Sequence, residues 1–255
     1  LEIDTSADTL LGQAGDDTAY GEGGTDLLDG GDGNDKLYGG ADADSAIGGA
    51  GNDYFHGGDG KAGSDTGADV FDGGVGADTA YGDGGADTLT LGNDNDVAFG
   101  GADNDVITGG VGDDKLAGDA GNDLLNGGEG KDALTGGAGN DTLWAGRGDD
   151  KVTGDAGNDT FFYGIASGDF ASGATGNDSF DGGKEKVVGT PEADAIYLFG
   201  GMPEGPLGGW LSLPAGVTAV VDDEGNITFQ KLGVAAGNVG GTIQLPDGST
   251  LTFTN

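Results

Sequence analysis

Aspartate recurs every nine residues along most of this chain. It stands at Asp8, Asp17, Asp26, Asp35, Asp44 and Asp53, and after a seven-residue interruption at Asp69, Asp78, Asp87, Asp96, Asp105, Asp114, Asp123, Asp132, Asp141, Asp150 and Asp159, with a last member at Asp178. The surrounding frame repeats as well: GGDGNDKLY at 30–38, GGAGNDYFH at 48–56, GGVGDDKLA at 109–117, GGEGKDALT at 127–135 and GGAGNDTLW at 136–144 all read G-G-x-G-x-D-x-U-x, with U apolar. Eighteen units keep this register between residues 3 and 181, and aspartate is sixth in every one. The eighth position is always apolar, as at Leu10, Leu28, Phe55, Phe71, Leu89, Ile107, Leu125, Phe161 and Phe180.

A carboxylate repeated at a fixed short interval is a ligand lattice before it is anything else. Glycosidic chemistry needs one acid and one base in different surroundings, whereas these aspartates all share one environment. Glycine at the first, second and fourth positions permits left-handed backbone angles and lets carbonyls turn inward. Carbonyl and carboxylate oxygens are hard donors, which suit Ca²⁺ with its 6 to 8 flexible oxygen ligands far better than zinc or copper.

Placing those donors is the work of the rest of the unit. The triplet x-U-x alternates, so it predicts a short strand with one inward side chain, and the six residues before it predict a turn. Two units then make one coil of 18 residues, with coils stacked about 4.8 Å apart as parallel strands. Carboxylates of neighbouring coils come within roughly 5 Å, where at an effective dielectric of about 20 each contact repels by about 3 kcal/mol. A divalent cation between turns reverses that sign and makes metal part of the fold. Residues 1–183 carry 38 acids and 6 bases, a net charge of −32, which about 16 divalent ions would balance; loops and degenerate units lower the expected number to about ten to fourteen. Two inserts, KAGSDTG at 61–67 and YGIASGDFAS at 163–172, read as surface loops.

Composition narrows the remaining functions. Of 255 residues 61 are Gly, and 46 acids against 9 Lys plus Arg give a net charge of −37, which repels nucleic acid and anionic membranes. By composition alone, such a chain cannot offset its ordering entropy through burial, so the order of the residues must decide whether it folds. The absence of Cys and the single His56 exclude thiol catalysis, disulfide frameworks, Cys/His zinc sites and His-based triads. No Ser or Thr has a base partner, and no enzyme activity is expected. Only Thr88 and Thr90 flank an inward residue as T-x-T, too few for an ice-binding array. No run approaches 18 apolar residues, the opening LEIDTSADTL lacks the features of a secretory signal peptide, and the chain starts without Met, so a processed product or a piece of something longer is expected.

The nonapeptide resembles that of the RTX (repeats-in-toxin) proteins secreted by bacteria. The resemblance covers about two thirds of the chain. It implies a right-handed parallel β-roll with calcium between turns. It further implies that calcium is held by the sixth-position aspartates and by second- and fourth-position carbonyls, here Gly31 and Gly33, Gly49 and Gly51, Gly110 and Gly112, Gly128 and Gly130, and Gly137 and Gly139. Export through a type I secretion channel, with folding outside the cell, is also implied. Asp42, Asp94 and Asp103 replace the fourth-position glycine, and Leu91 and Ala145 replace the first. Distorted, weaker sites are expected over 91–108, since Asp tolerates left-handed angles.

From residue 184 the period stops and the net charge falls to −5. TAVVDDEGNITFQ and TIQLPDGSTLTF predict two hairpins, and 184–255 is expected to be a β-rich cap with a secretion signal within it. Alternate ninth positions carry Tyr20, Tyr38, His56, Tyr81 and Phe99, predicting an aromatic column on one outer face. That column is either a partner surface, for itself, a surface protein or a polysaccharide, or a strip covered by the hairpins or the 61–67 loop. His56 is expected to be a member of it and not a ligand or base. The expected role is that of an extracellular or cell-surface matrix, surface-layer or adhesin component; the alternative is the carboxy-terminal folding and secretion segment of a larger RTX protease, lipase or toxin.

Overall fold

The computed structural model describes residues 5–59 and 65–164, together with the strand backbones 178–181, 195–199, 217–221, 227–231, 241–244 and 250–254. Every regular element among them is a strand, and no helix is long and apolar enough to cross a membrane. From Thr9–Ala14 to Ala195–Phe199, alternate strands belong to alternate sheets, one of twelve strands in all and one of eleven. The result is a parallel β-solenoid of about 8 turns, a β-roll.

Register follows the period. Leu10 pairs with Leu28 and Leu28 with Ala46, a step of 18 residues; the step grows to 25 at the first insert, where Ala46 meets Phe71 and Phe55 meets Ala80, and to 28 across the second, where Val152 meets Phe180. Strands are longer than the triplet predicts. Leu27–Asp32 and Lys36–Ala41 each run through the x-U-x of one unit into the first three residues of the next. The extra length comes from inter-coil pairing, which continues past a left-handed second position, as in Gly31 opposite Gly49.

The core is two facing files of eighth-position side chains, from Leu28 to Phe161, with Leu10 and Ala19 half-covered at the open end. Phe55 and Phe71 stack across the sheets with centroids 4.9 Å apart. Leu91 and Ala145, which replace first-position glycines, join this core and are fully buried. Among the described residues, first-position glycines do not adopt left-handed angles. They are glycine because a Cβ on Gly30, Gly48 or Gly109 would strike Oδ2 of the aspartate in the same unit. Space for the carboxylate, not backbone freedom, is the requirement there.

The first insert sits differently from its sequence reading. Gly57 takes the first position of its unit, but Gly67 takes the fourth, lying against the carbonyl of Asp42 and under Gly85. Residues 65–67 are therefore part of the turn and not a surface loop, and Asp65 is buried. Residues 60–64 and 165–177 lie outside the described residues, while 163 and 164 end the strand Thr160–Gly164.

Both predicted hairpins form. Val217–Val221 pairs antiparallel with Ile227–Lys231, and Gly241–Gln244 with Thr250–Thr254. Parallel pairing outlasts the nonapeptide period: Ala195–Phe199 continues one sheet beside Thr160–Gly164, and Thr250–Thr254 continues the other beside Asp178–Asp181. Each sheet thus ends in one hairpin.

Candidate metal centre

The two oxygens of each column aspartate have different duties. From Asp26 to Asp159, Oδ1 accepts the backbone N–H of the aspartate one coil earlier, at 2.7 Å from Asp44 N–H to Asp69 and 2.8 Å from Asp105 N–H to Asp123. That bond holds χ1 and stacks carboxylate on carboxylate. From Asp17 to Asp141, Oδ2 is buried and has no hydrogen-bond partner. Two such files run along the solenoid, one in each row of turns.

Beside them run files of carbonyls. Gly31, Gly49, Gly110, Gly128 and Gly137 at second positions have φ between 99° and 120°, and Gly33, Gly51, Gly112, Gly130 and Gly139 at fourth positions have φ between 129° and 148°. A Cβ on any of these ten would collide with the carbonyl oxygen of the equivalent residue one coil earlier. Among the described residues, no backbone N–H bonds a fourth-position carbonyl, since turn amides such as Gly33 and Gly51 reach third-position carbonyls instead. Asp42, Asp94 and Asp103 do adopt left-handed angles at fourth positions, with φ of 74°, 78° and 78°.

From Asp17 to Asp141, each turn therefore offers a buried carboxylate oxygen without a hydrogen-bond partner, beside fourth-position carbonyl oxygens that accept no backbone N–H among the described residues. Buried polar atoms normally have partners, and an ionised carboxylate is the costliest to leave without one. No three Asp, Glu or His side chains among the described residues converge closely enough to hold an ion by themselves. Carbonyls must supply the rest, a donor set suited to calcium.

Burial pushes the column carboxyls up to about 7 at Asp44, Asp78, Asp87, Asp105 and Asp141, and to about 8 at Asp69. Backbone N–H bonds oppose that rise, and the charges of neighbouring aspartates add to it. A folded-state pKa raised above the unfolded value near about 3.9 stabilises the fold below the latter, and the benefit is lost as pH rises through about 7 to 8. Protons and cations then compete for the same oxygens. Acidifying from pH 7.5 to 5.5 should raise the calcium concentration at half-folding several-fold, measured by far-UV circular dichroism. In calcium-free buffer, the same acidification should increase β structure.

The solenoid with two buried carboxylate files beside unused carbonyls defines a calcium-binding β-roll. Residues 4–37, 29–61, 64–98, 90–125 and 126–161 match the RTX calcium-binding nonapeptide repeat, and the chain belongs to that family. No curated protein matches it.

Other sequence-singled residues fall as follows. Asp8 lies half-buried at the open end. Asp178 opens a strand that pairs with Lys151–Ala156, and its side chain lies outside the described residues. Tyr20, Tyr38, His56, Tyr81 and Phe99 form one registered column on the outer face of the eleven-stranded sheet. Their rings stack on one another, 4.8 Å apart for Tyr20 and Tyr38 and 5.0 Å for Tyr81 and Phe99. Tyr54, unnoticed in the sequence because it is a seventh-position residue, leans into the same column against Tyr38 and Tyr81. His56 stacks between Tyr38 and Tyr81, and its Nδ1 lies 2.9 Å from Oδ2 of Asp83, close enough for an ion pair but not aligned for a directed hydrogen bond. Asp65 was also missed; the D-x-G at 65–67, which restores a fourth-position glycine after the insert, was its signal.

Proposed function

We propose that this is a secreted calcium-binding β-roll with a structural or interaction role, folding as it binds about ten to fourteen calcium ions between turns. The sixth-position aspartates from Asp8 to Asp178 are its carboxylate ligands. Its carbonyl ligands are Gly31, Gly33, Gly49, Gly51, Gly110, Gly112, Gly128, Gly130, Gly137 and Gly139. The reading rests on one observation: Oδ2 is buried without a partner at every column aspartate from Asp17 to Asp141. Bound calcium supplies the positive charge that reverses repulsion along the files. The chain's own residues do the positioning. Oδ1 bonds hold the carboxylates in register, and left-handed glycines hold the carbonyls one coil apart.

Family proteins are typically exported by type I systems, and coupling fold to calcium suits that route. A chain of net charge −37 stays extended where calcium is scarce and folds where it is plentiful. Outside the cell, the Tyr20 to Phe99 column becomes the surface for a second copy, a surface protein or a polysaccharide. Its rings present edges and hydroxyls outward because their faces are stacked on each other, and Tyr20 remains 58% exposed. Intact mass of the native polypeptide in culture medium tests this role. A mass near 24.7 kDa supports it, and a much larger chain with this sequence at its end overturns it in favour of a segment of a protease, lipase or toxin.

A further inference from the structure

We propose that Asp65, brought into the turn row by the first insert, builds a divalent-cation site that differs from the repeated ones by a carboxylate outside the nonapeptide pattern. The inference rests on the calcium-binding reading above.

Asp65 is 3% exposed. Its Oδ1 accepts the N–H of Gly67 at 2.9 Å, and its Oδ2 is buried with no partner. Nothing in the nine-residue pattern asks for an acid here. Asp65 lies two residues before Gly67, which holds the fourth-position place; its carbonyl abuts Gly84, and that of Gly67 abuts Gly85. Both residues are thus stacked on the turn that leads to Asp87. Asp65 repels Asp44, Asp69, Asp83 and Asp87, and among the charges acting on Asp69 and on Asp87 it is the strongest. It therefore acts on two successive members of one file, Asp69 and Asp87.

In a regular turn an ion draws on column carboxylates and carbonyls. Here an extra formal charge is buried beside Asp69 and Asp87, each of which also has a partnerless Oδ2. More ligand charge means tighter binding of a hard cation. Since no three acidic side chains among the described residues converge on one point, carbonyls such as that of Gly67 complete the set. The cation this chemistry selects is calcium, and the site should be among the first to fill.

The test is equilibrium dialysis of the full chain against calcium, comparing wild type with Asp65→Asn, Thr66→Ala and Asp123→Asn. Asn keeps an oxygen for the Gly67 N–H and removes the charge; Thr66 is exposed on the same segment. Asp65→Asn should lose one ion at the low end of the isotherm, or weaken it about tenfold, a change of about 1.4 kcal/mol. Thr66→Ala should keep it. An unchanged isotherm for Asp65→Asn, with Asp123→Asn losing an ion, overturns the Asp65 site alone. If neither variant changes binding, the wider calcium reading fails. Far-UV circular dichroism at saturating calcium separates site from fold: reaching the wild-type signal supports the site, and never reaching it means Asp65 serves folding only and overturns the inference.

Discussion

A chain carrying Asp87→Asn, Asp105→Asn, Asp123→Asn and Asp141→Asn should bind about four fewer calcium ions and need several-fold more calcium to fold, yet keep more structure than wild type in excess chelator. Asparagine retains the oxygen that accepts the preceding backbone N–H, bonds of 2.7 to 2.9 Å at these four positions. It replaces the partnerless Oδ2 with an amide nitrogen, which donates and cannot ligate a cation. Four charges also leave one file, where each neighbouring contact repels by about 3 kcal/mol at an effective dielectric of about 20. The two effects have opposite signs in the presence and absence of calcium. If the files were only hydrogen-bond ladders, the variant would be stabilised under both conditions and its ion count unchanged. Dialysis and circular dichroism in calcium and in chelator distinguish these outcomes.

Phe55→Ala should shift the calcium midpoint without changing the number of ions bound. Phe55 is fully buried and stacked on Phe71, and truncation of such a side chain costs about 3–5 kcal/mol. When on the order of ten ions bind with folding, that loss is shared among them and moves the midpoint only about twofold. A ligand substitution instead lowers the steepness of the transition. The pair of measurements, midpoint and slope, thus separates core from site. A drop in bound ions for Phe55→Ala, or no movement of its midpoint, would show that core and turns are not one cooperative unit.

Much of this was legible because the sequence repeats one physical unit. Inward eighth positions, column aspartates and left-handed second and fourth glycines each follow from alternation, charge or backbone sterics within nine residues. The two C-terminal hairpins were legible from their turn residues. First-position glycine was misread, because its reason is the Asp side chain five residues on, a packing fact and not a local preference. The first insert was misplaced since Gly60 and Gly67 both suit the fourth position, and only contact with Asp42 and Gly85 selects Gly67. Asp65 was missed because the carboxylates it acts on, such as Asp83 and Asp87, belong to the next coil, and Tyr54 because a seventh position gives no sign of the Tyr38 and Tyr81 rings in the coils on either side.

The most direct measurement is far-UV circular dichroism of the chelator-treated full chain at pH 7.4 during calcium titration, with magnesium in parallel. Magnesium holds its water and demands octahedral geometry, so it should leave the chain unfolded. A steep transition from coil to β structure with calcium alone is the predicted result. A chain already fully β-structured in chelator, or unmoved by millimolar calcium, would contradict the coupling of fold to metal.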